Sequence, residues 1–279
     1  MMLPGLNDWW IIATTALVSL CCVIPGTFLV LRRMAMFGDA ISHAVLPGLV
    51  IAYLLSGSKA GPGLLVGAAS TGLFVTFMIE LLQKRVKVQH DAAIGLIYTF
   101  LFALGVIMVS QFAGMADLDQ DCVLFGEVAF APFDLLNGIP RQIWISGGLL
   151  IVLLLTLFVG YRGLYLSTFD PEFATALGIQ VMVWHYLLMG MVSLSTVVAF
   201  ESVGAVLVIA FMVGPPAIAS LFSKSLSGML LLGCAVAILS SFAGYFLATF
   251  LDANIGGCVS VVIGVFFGLA VIIRKTLRT

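Results

Sequence analysis

Charge is what this sequence has least of. Only 9% of its 279 residues are Asp, Glu, Lys or Arg, where a soluble domain carries about a quarter. With 62% hydrophobic residues and a mean hydropathy of +1.22, the deficit excludes a water-soluble globular body. The formal net charge is −1, which removes the basic surface that nucleic-acid binding requires. Cysteine is sparse too: there are five, with no Cys-x-x-Cys and no metal-finger spacing. Cys21, Cys22, Cys234 and Cys258 sit in apolar segments, where cysteine acts as a small hydrophobe, and Cys122 has no obvious partner. No disulfide is expected. The sequence contains no Gly-x-x-x-x-Gly-Lys-Ser/Thr phosphate loop and no His-Glu-x-x-His, which argues against a P-loop ATPase and an intramembrane metalloprotease.

Long apolar runs are what is present, and they are spread along the chain rather than gathered at one end, so a signal peptide does not explain them. A hydrocarbon core of roughly 30 Å needs about 20 helical residues to cross it. Nine stretches meet or approach that length: Trp9–Leu31, Met34–Ser56, Pro62–Gln83, Ala92–Phe112, Gln142–Tyr161, Met182–Phe200, Ser202–Phe222, Leu226–Leu251 and Ile255–Ile273. The pattern predicts an all-α integral membrane bundle of nine spans, with eight as the other count, read as one domain over 1–279. An apolar run near Cys122–Pro132 is too brief to span and reads as a surface or re-entrant segment. With the N-terminus outside and the C-terminus in the cytoplasm, ten of the twelve Lys/Arg fall inside, as the positive-inside rule demands. Only Lys59 and Arg141 fall outside. Short loops predict antiparallel neighbours, and Gly63-Leu-Leu-Val-Gly67 and Gly264-Val-Phe-Phe-Gly268 fit the small-xxx-small pattern of close helix contact.

Three features interrupt this apolar background. The first is Gly38-Asp-Ala-Ile-Ser-His-Ala-Val-Leu-Pro-Gly48. Asp39 and His43 are four apart, so a helix puts carboxylate and imidazole on one face. Ionisable groups inside a span mark ion or substrate paths by default, and these two are ligands for borderline divalent metals. Two ligands fall short of the four that zinc takes, so another helix, water or a second chain must supply the rest. Ser42 shares the motif but not the face so well. Pro47 removes the N–H that would bond the His43 carbonyl. A purely structural Asp39–His43 pair stays open as an alternative; a metal role predicts weaker uptake as His43 protonates, because a ligating imidazole must be neutral.

The second feature is the inner loop Ser167–Gly178. Asp170 suits an N-cap, Pro171 the first helical position, Glu172 the positive end of the dipole and Gly178 the position just past the end. A two-turn helix follows, with Phe173, Ala174 and Leu177 on one face. It is either a connecting turn or a docking element. The third is Val203–Ala219, small and apolar, with Pro215-Pro216 freeing the carbonyls of Phe211 and Met212 for a helix break.

On these three segments the chain resembles, over essentially its whole length, the permease subunit of ATP-binding-cassette importers for manganese, zinc and iron (the ABC-3 type). The resemblance implies a multi-pass protein of the bacterial cytoplasmic membrane, paired with a second permease chain, identical or paralogous. It implies two cytoplasmic ATPase subunits that consume ATP, an external protein that delivers the metal, and surrounding lipid. It implies transport without catalysis in this chain and without a covalently bound cofactor. Asp39 and His43 become metal-path residues, and Asp170–Gly178 becomes the helix coupled to the ATPase. A proton-driven secondary transporter with Asp39/His43 as relay stays open, as does a permease for iron chelates or cobalamin.

The remaining polar residues read as follows. Asp117-Leu-Asp-Gln-Asp121 lacks the glycine and glutamate of a calcium loop and is expected to be a solvated outer loop. Glu201 falls at a tight outer turn and is a secondary candidate for the path. His185, between Trp184 and Tyr186, suits an interfacial belt.

Overall fold

The computed structural model describes residues 5–56, 62–112, 128–136 and 138–276. Its helices are α1 (Leu6–Leu31), α2 (Met36–Ala44), α3 (Leu46–Ser56), α4 (Pro62–Val86), α5 (His90–Phe112), α6 (Arg141–Phe169), α7 (Pro171–Ala176), α8 (Val181–Phe222), α9 (Leu226–Leu251) and α10 (Ile255–Thr276). Between α5 and α6, residues Val128–Phe133 form a 3-10 helix. A two-stranded hairpin follows, β1 (Leu135–Leu136) against β2 (Ile139–Pro140), with Leu135 opposite Pro140. Asp117–Asp121 and Cys122 lie outside the described residues.

Among the described residues, eight helical stretches are long and apolar enough to cross a membrane, one running through α2 and α3 and two lying within α8. They cover all the expected stretches except Pro62–Gln83. That stretch is helical as well, as the 25-residue α4, but is not one of the eight. The chain divides into two compact units. One comprises Met1–Arg33, Gln120–Leu155 and Val198–Thr279, and the other Met34–Asp119 and Thr156–Val197.

In the first unit, α9 packs against both α1 and α10. Its core is built on Cys22, Val23 and Phe28 of α1, all fully buried. Hydroxyls within these apolar helices are satisfied inside their own turns: Thr14 donates to the Trp10 carbonyl at 2.8 Å, Thr27 to Val23 at 2.8 Å and Ser241 to Ala237 at 2.9 Å. Back-bonding of this kind removes the desolvation cost of a hydroxyl away from water. Pro215 and Pro216 do not break α8, contrary to the expectation. A proline φ near −65° is itself helical, and the residue of α8 that leaves helical geometry is Gly204 (φ 77°, ψ 165°). That is a region open essentially to glycine alone. The Met212 carbonyl that Pro216 leaves free abuts Gly26 of α1: a Cβ built on Gly26 would lie 2.1 Å from that oxygen. Here α1 approaches a freed carbonyl as only a glycine permits. Glu201, expected at a turn, has helical backbone; its side chain lies outside the described residues.

In the second unit α2 and α3 pack on α5, and α3 packs on α4. Gly48 seats Thr71, and Gly67, one of the two glycines of the first small-xxx-small match, seats Ala52. Gly264 and Gly268 of the other have no heavy atom within 4 Å of a built Cβ. Helix α6 runs eight residues beyond its expected end at Tyr161. Tyr161, Tyr165 and Phe169 stack along its last turns, with ring centroids 6.1 and 4.7 Å apart. Trp184 fills the notch left by Gly160 and Gly163, where a built Cβ would come within 2.6 and 2.1 Å of its indole. At 29 residues, α6 is about 43 Å long, more than the hydrocarbon thickness.

Candidate functional site

The Asp39–His43 segment folds as α2, and Pro47 interrupts the run: α2 ends at Ala44 and α3 starts at Leu46. The joint is mild. Val45 keeps helical angles (φ −72°, ψ −21°), its N–H reaches Ile41 at 3.0 Å and its carbonyl receives Leu49 at 3.1 Å. What Pro47 removes is the single bond to the His43 carbonyl, as its sequence position requires.

One turn apart, His43 Nε2 lies 3.4 Å from Asp39 Oδ1, with the two side chains 27% and 31% exposed. Asp39 stands in the first turn of α2, where the helix dipole favours a carboxylate by about 0.3–1 kcal/mol, and an i,i+4 ion pair adds roughly 0.5 kcal/mol. The ring of His43 is flanked by two aromatics of α5: Tyr98 at 5.9 Å between centroids, and Phe102 at 5.5 Å and edge-on. Both were missed in the sequence, although Tyr98-x-x-x-Phe102 has the spacing that puts two rings on one helical face.

Ser42 does not join the pair. It is buried, and its hydroxyl donates to the Gly38 carbonyl at 2.8 Å. Among the described residues no group of three or more His, Cys, Asp or Glu comes together. Among the described residues, Asp39 and His43 thus stand as two metal-capable side chains on α2 without a third.

The inner-loop helix is α7. The Asp170 carboxylate caps it by accepting from the Phe173 N–H at 2.9 Å, Pro171 opens it and Glu172 sits in its first turn. At its end Gly178 takes φ +79°. The Gly178 N–H reaches Thr175 at 3.0 Å and the Ile179 N–H reaches Ala174 at 2.9 Å, the paired bonds of a Schellman motif. The expected shared face needs one correction. Phe173 and Leu177, four apart, are 52% and 57% exposed, whereas Ala174 is fully buried. A residue one step along a helix is rotated by about 100°, so Ala174 faces the protein while Phe173 and Leu177 face away.

His185 and Tyr186 meet a carboxylate of another helix. Both bond Glu80 of α4, His185 Nε2 at 3.0 Å and the Tyr186 hydroxyl at 3.2 Å. Sequence reading passed over Glu80, which stands in a charged stretch near a helix end.

Residues 9–274 match the model of the ABC 3 transport family. The chain is 44% identical over 282 aligned residues to the manganese transport system membrane protein MntD of Bacillus subtilis, covering 97% of this chain and 95% of that protein. It is 42% identical to the zinc transport system membrane protein TroD of Treponema pallidum, covering 93% and 72%. Among solved structures, PsaBC from Streptococcus pneumoniae in complex with Fab matches with a TM-score of 0.81 at 29% identity, covering 95% of this chain and 91% of that one. The fold and these matches thus define a polytopic membrane permease, a transport component and not an enzyme. This chain belongs to the ABC 3 transport family, whose members of this kind are multi-pass proteins of the bacterial cytoplasmic membrane.

Proposed function

We propose that this chain is the membrane permease of an ATP-driven importer of a divalent transition metal, manganese or zinc, and that the ion passes between Asp39 and His43. The observation that carries this is the α2 pair: a carboxylate and an imidazole 3.4 Å apart on a proline-interrupted helix, a third exposed or less. The names of the relatives above specify manganese and zinc; none of those cited specifies iron, which enters only as a competitor ion.

Two ligands are too few for zinc or manganese. A second permease chain related by a two-fold axis would bring a second Asp/His pair and raise the protein ligands to four. The flanking rings of Tyr98 and Phe102 restrict how the imidazole turns. Helix α7 docks on a cytoplasmic ATPase through Phe173 and Leu177, and an external binding protein delivers the ion.

The test is uptake of radioactive manganese and zinc into vesicles holding this chain with its ATPase and second permease subunit, loaded by the binding protein. Uptake is expected with ATP and a collapsed proton gradient. Uptake driven by a proton gradient without ATP would overturn the ATP-driven reading in favour of a secondary transporter.

A further inference from the structure

Glu80 of α4 collects three donors. Lys84 Nζ lies 2.9 Å from Oε2, the Tyr186 hydroxyl 3.2 Å from the same oxygen, and His185 Nε2 3.0 Å from Oε1. Glu80 and His185 are only 15% and 17% exposed, while Lys84 is 60% exposed. The strong contacts are therefore those that cross from α4 to α8, and the Lys84 arm is a solvated pair within one helix.

The position of this clamp in the chain gives it a task. Helix α7 ends in the tight motif at Gly178, and α8 begins at Val181, with the Val183 N–H already bonded to Gln180 at 3.0 Å. His185 and Tyr186 stand in the second turn of α8, so any displacement of α7 reaches them through a short, hydrogen-bonded path. On the other side of the clamp, α4 runs rigidly from Glu80 back to Gly72, about 12 Å along the axis. A Cβ on Gly72 would lie 1.9 Å from Ser193 Oγ of α8 and 3.5 Å from Ile41 Cγ2 of α2. Ile41 sits between Asp39 and His43. The adjacent residue, Thr71, fills the space beside Gly48 of α3.

We propose that Glu80, held by His185 and Tyr186, is the positioning residue that transmits movement of the Pro171–Ala176 helix through α4 to the helix carrying Asp39 and His43. This rests on the function proposed above. A second metal site at Glu80 and His185 is the competing idea. It is disfavoured because a lysine ammonium lies 2.9 Å from the carboxylate, and because two ligands are all that the described residues bring together there. No atom of the cluster contacts the ion in this proposal. It sets how motion is shared.

The discriminating quantity is metal taken up per ATP hydrolysed, measured with radioactive manganese in proteoliposomes containing the complete importer. Glu80→Ala and His185→Ala are each expected to lower this ratio about five-fold or more, the usual span of a coupling between sites, while ATP hydrolysis persists. The double variant is expected to be no worse than the more affected single, because one link is cut in all three. Glu80→Gln keeps an acceptor oxygen, assembles, and is expected to give an intermediate ratio. Wild-type ratios in Glu80→Ala and Glu80→Gln would overturn the link, as would single effects that multiply in the double variant. A wild-type importer without ATP-dependent uptake would overturn the underlying function as well; normal wild-type coupling with unaffected variants would overturn the link alone.

Discussion

Asp39 and His43 were legible because they violate their surroundings: two ionisable groups in an apolar run, at a spacing that helical geometry converts into a 3.4 Å contact. Glu80 escaped notice for the opposite reason. It stands in a stretch with Lys84 and Arg85, where a charge is unremarkable, and its partners on α8 are about 105 residues further along the chain. Single-sequence periodicity has no means of pairing such distant positions. Close packing at single glycines was also invisible, since 29 glycines give many chance matches and only neighbours decide among them. Gly72 and Gly148 make a test. Gly72→Ala forces a Cβ to 1.9 Å from Ser193 Oγ and is expected to destabilise by about 1–3 kcal/mol through overpacking. Gly148 has no heavy atom within 4 Å of such a Cβ and lies inside α6, so Gly148→Ala is expected to be neutral or to stabilise by up to about 1 kcal/mol through helix propensity. Thermal unfolding in detergent, monitored by retained fluorescence on size exclusion, ranks the two.

At the scale of elements, local punctuation was the most readable signal. Every residue that writes helix α7 into the sequence takes its expected place: Asp170 caps, Pro171 opens, and Gly178 turns with φ +79°. Ala174 was assigned to the wrong side, a slip of one position that rotates a side chain by about 100°. Proline misled in α8, because the pair Pro215-Pro216 marks lost hydrogen bonds and not lost helix, whereas Gly204 is where the dihedrals leave the helix. Asp170→Ala removes the cap bond and is expected to cost the short helix about 1 kcal/mol. The proposed docking then weakens, seen as less ATPase retained when the permease is purified. Asp170→Asn and Asp170→Ser supply another capping oxygen and are expected to restore retention. Failure of either to restore it would mean that the carboxylate acts as a charge and not as a cap.

For the whole molecule, composition alone excluded a soluble body, and apolar run lengths located the helices to within a few residues except at the end of α6. There, aromatic stacking and the seat for Trp184 carry the helix on past the membrane length. The family resemblance read from the sequence is borne out by the family match over residues 9–274. Among the described residues a full coordination shell does not come together, since Asp39 and His43 gather no third His, Cys, Asp or Glu. If a second permease chain completes the shell, an importer carrying one wild-type and one Asp39→Ala/His43→Ala permease keeps only half of it. Its uptake is expected to fall close to that of the fully substituted complex, not to half of wild type.

The most direct measurement is radioactive manganese uptake by the assembled importer with Asp39→Ala or His43→Ala in the permease, beside the wild type. With assembly and ATP hydrolysis intact, each substitution is expected to lower uptake by at least about 10-fold, as loss of groups at a metal site does. Wild-type uptake in both variants would contradict the claim that the ion passes between these two side chains.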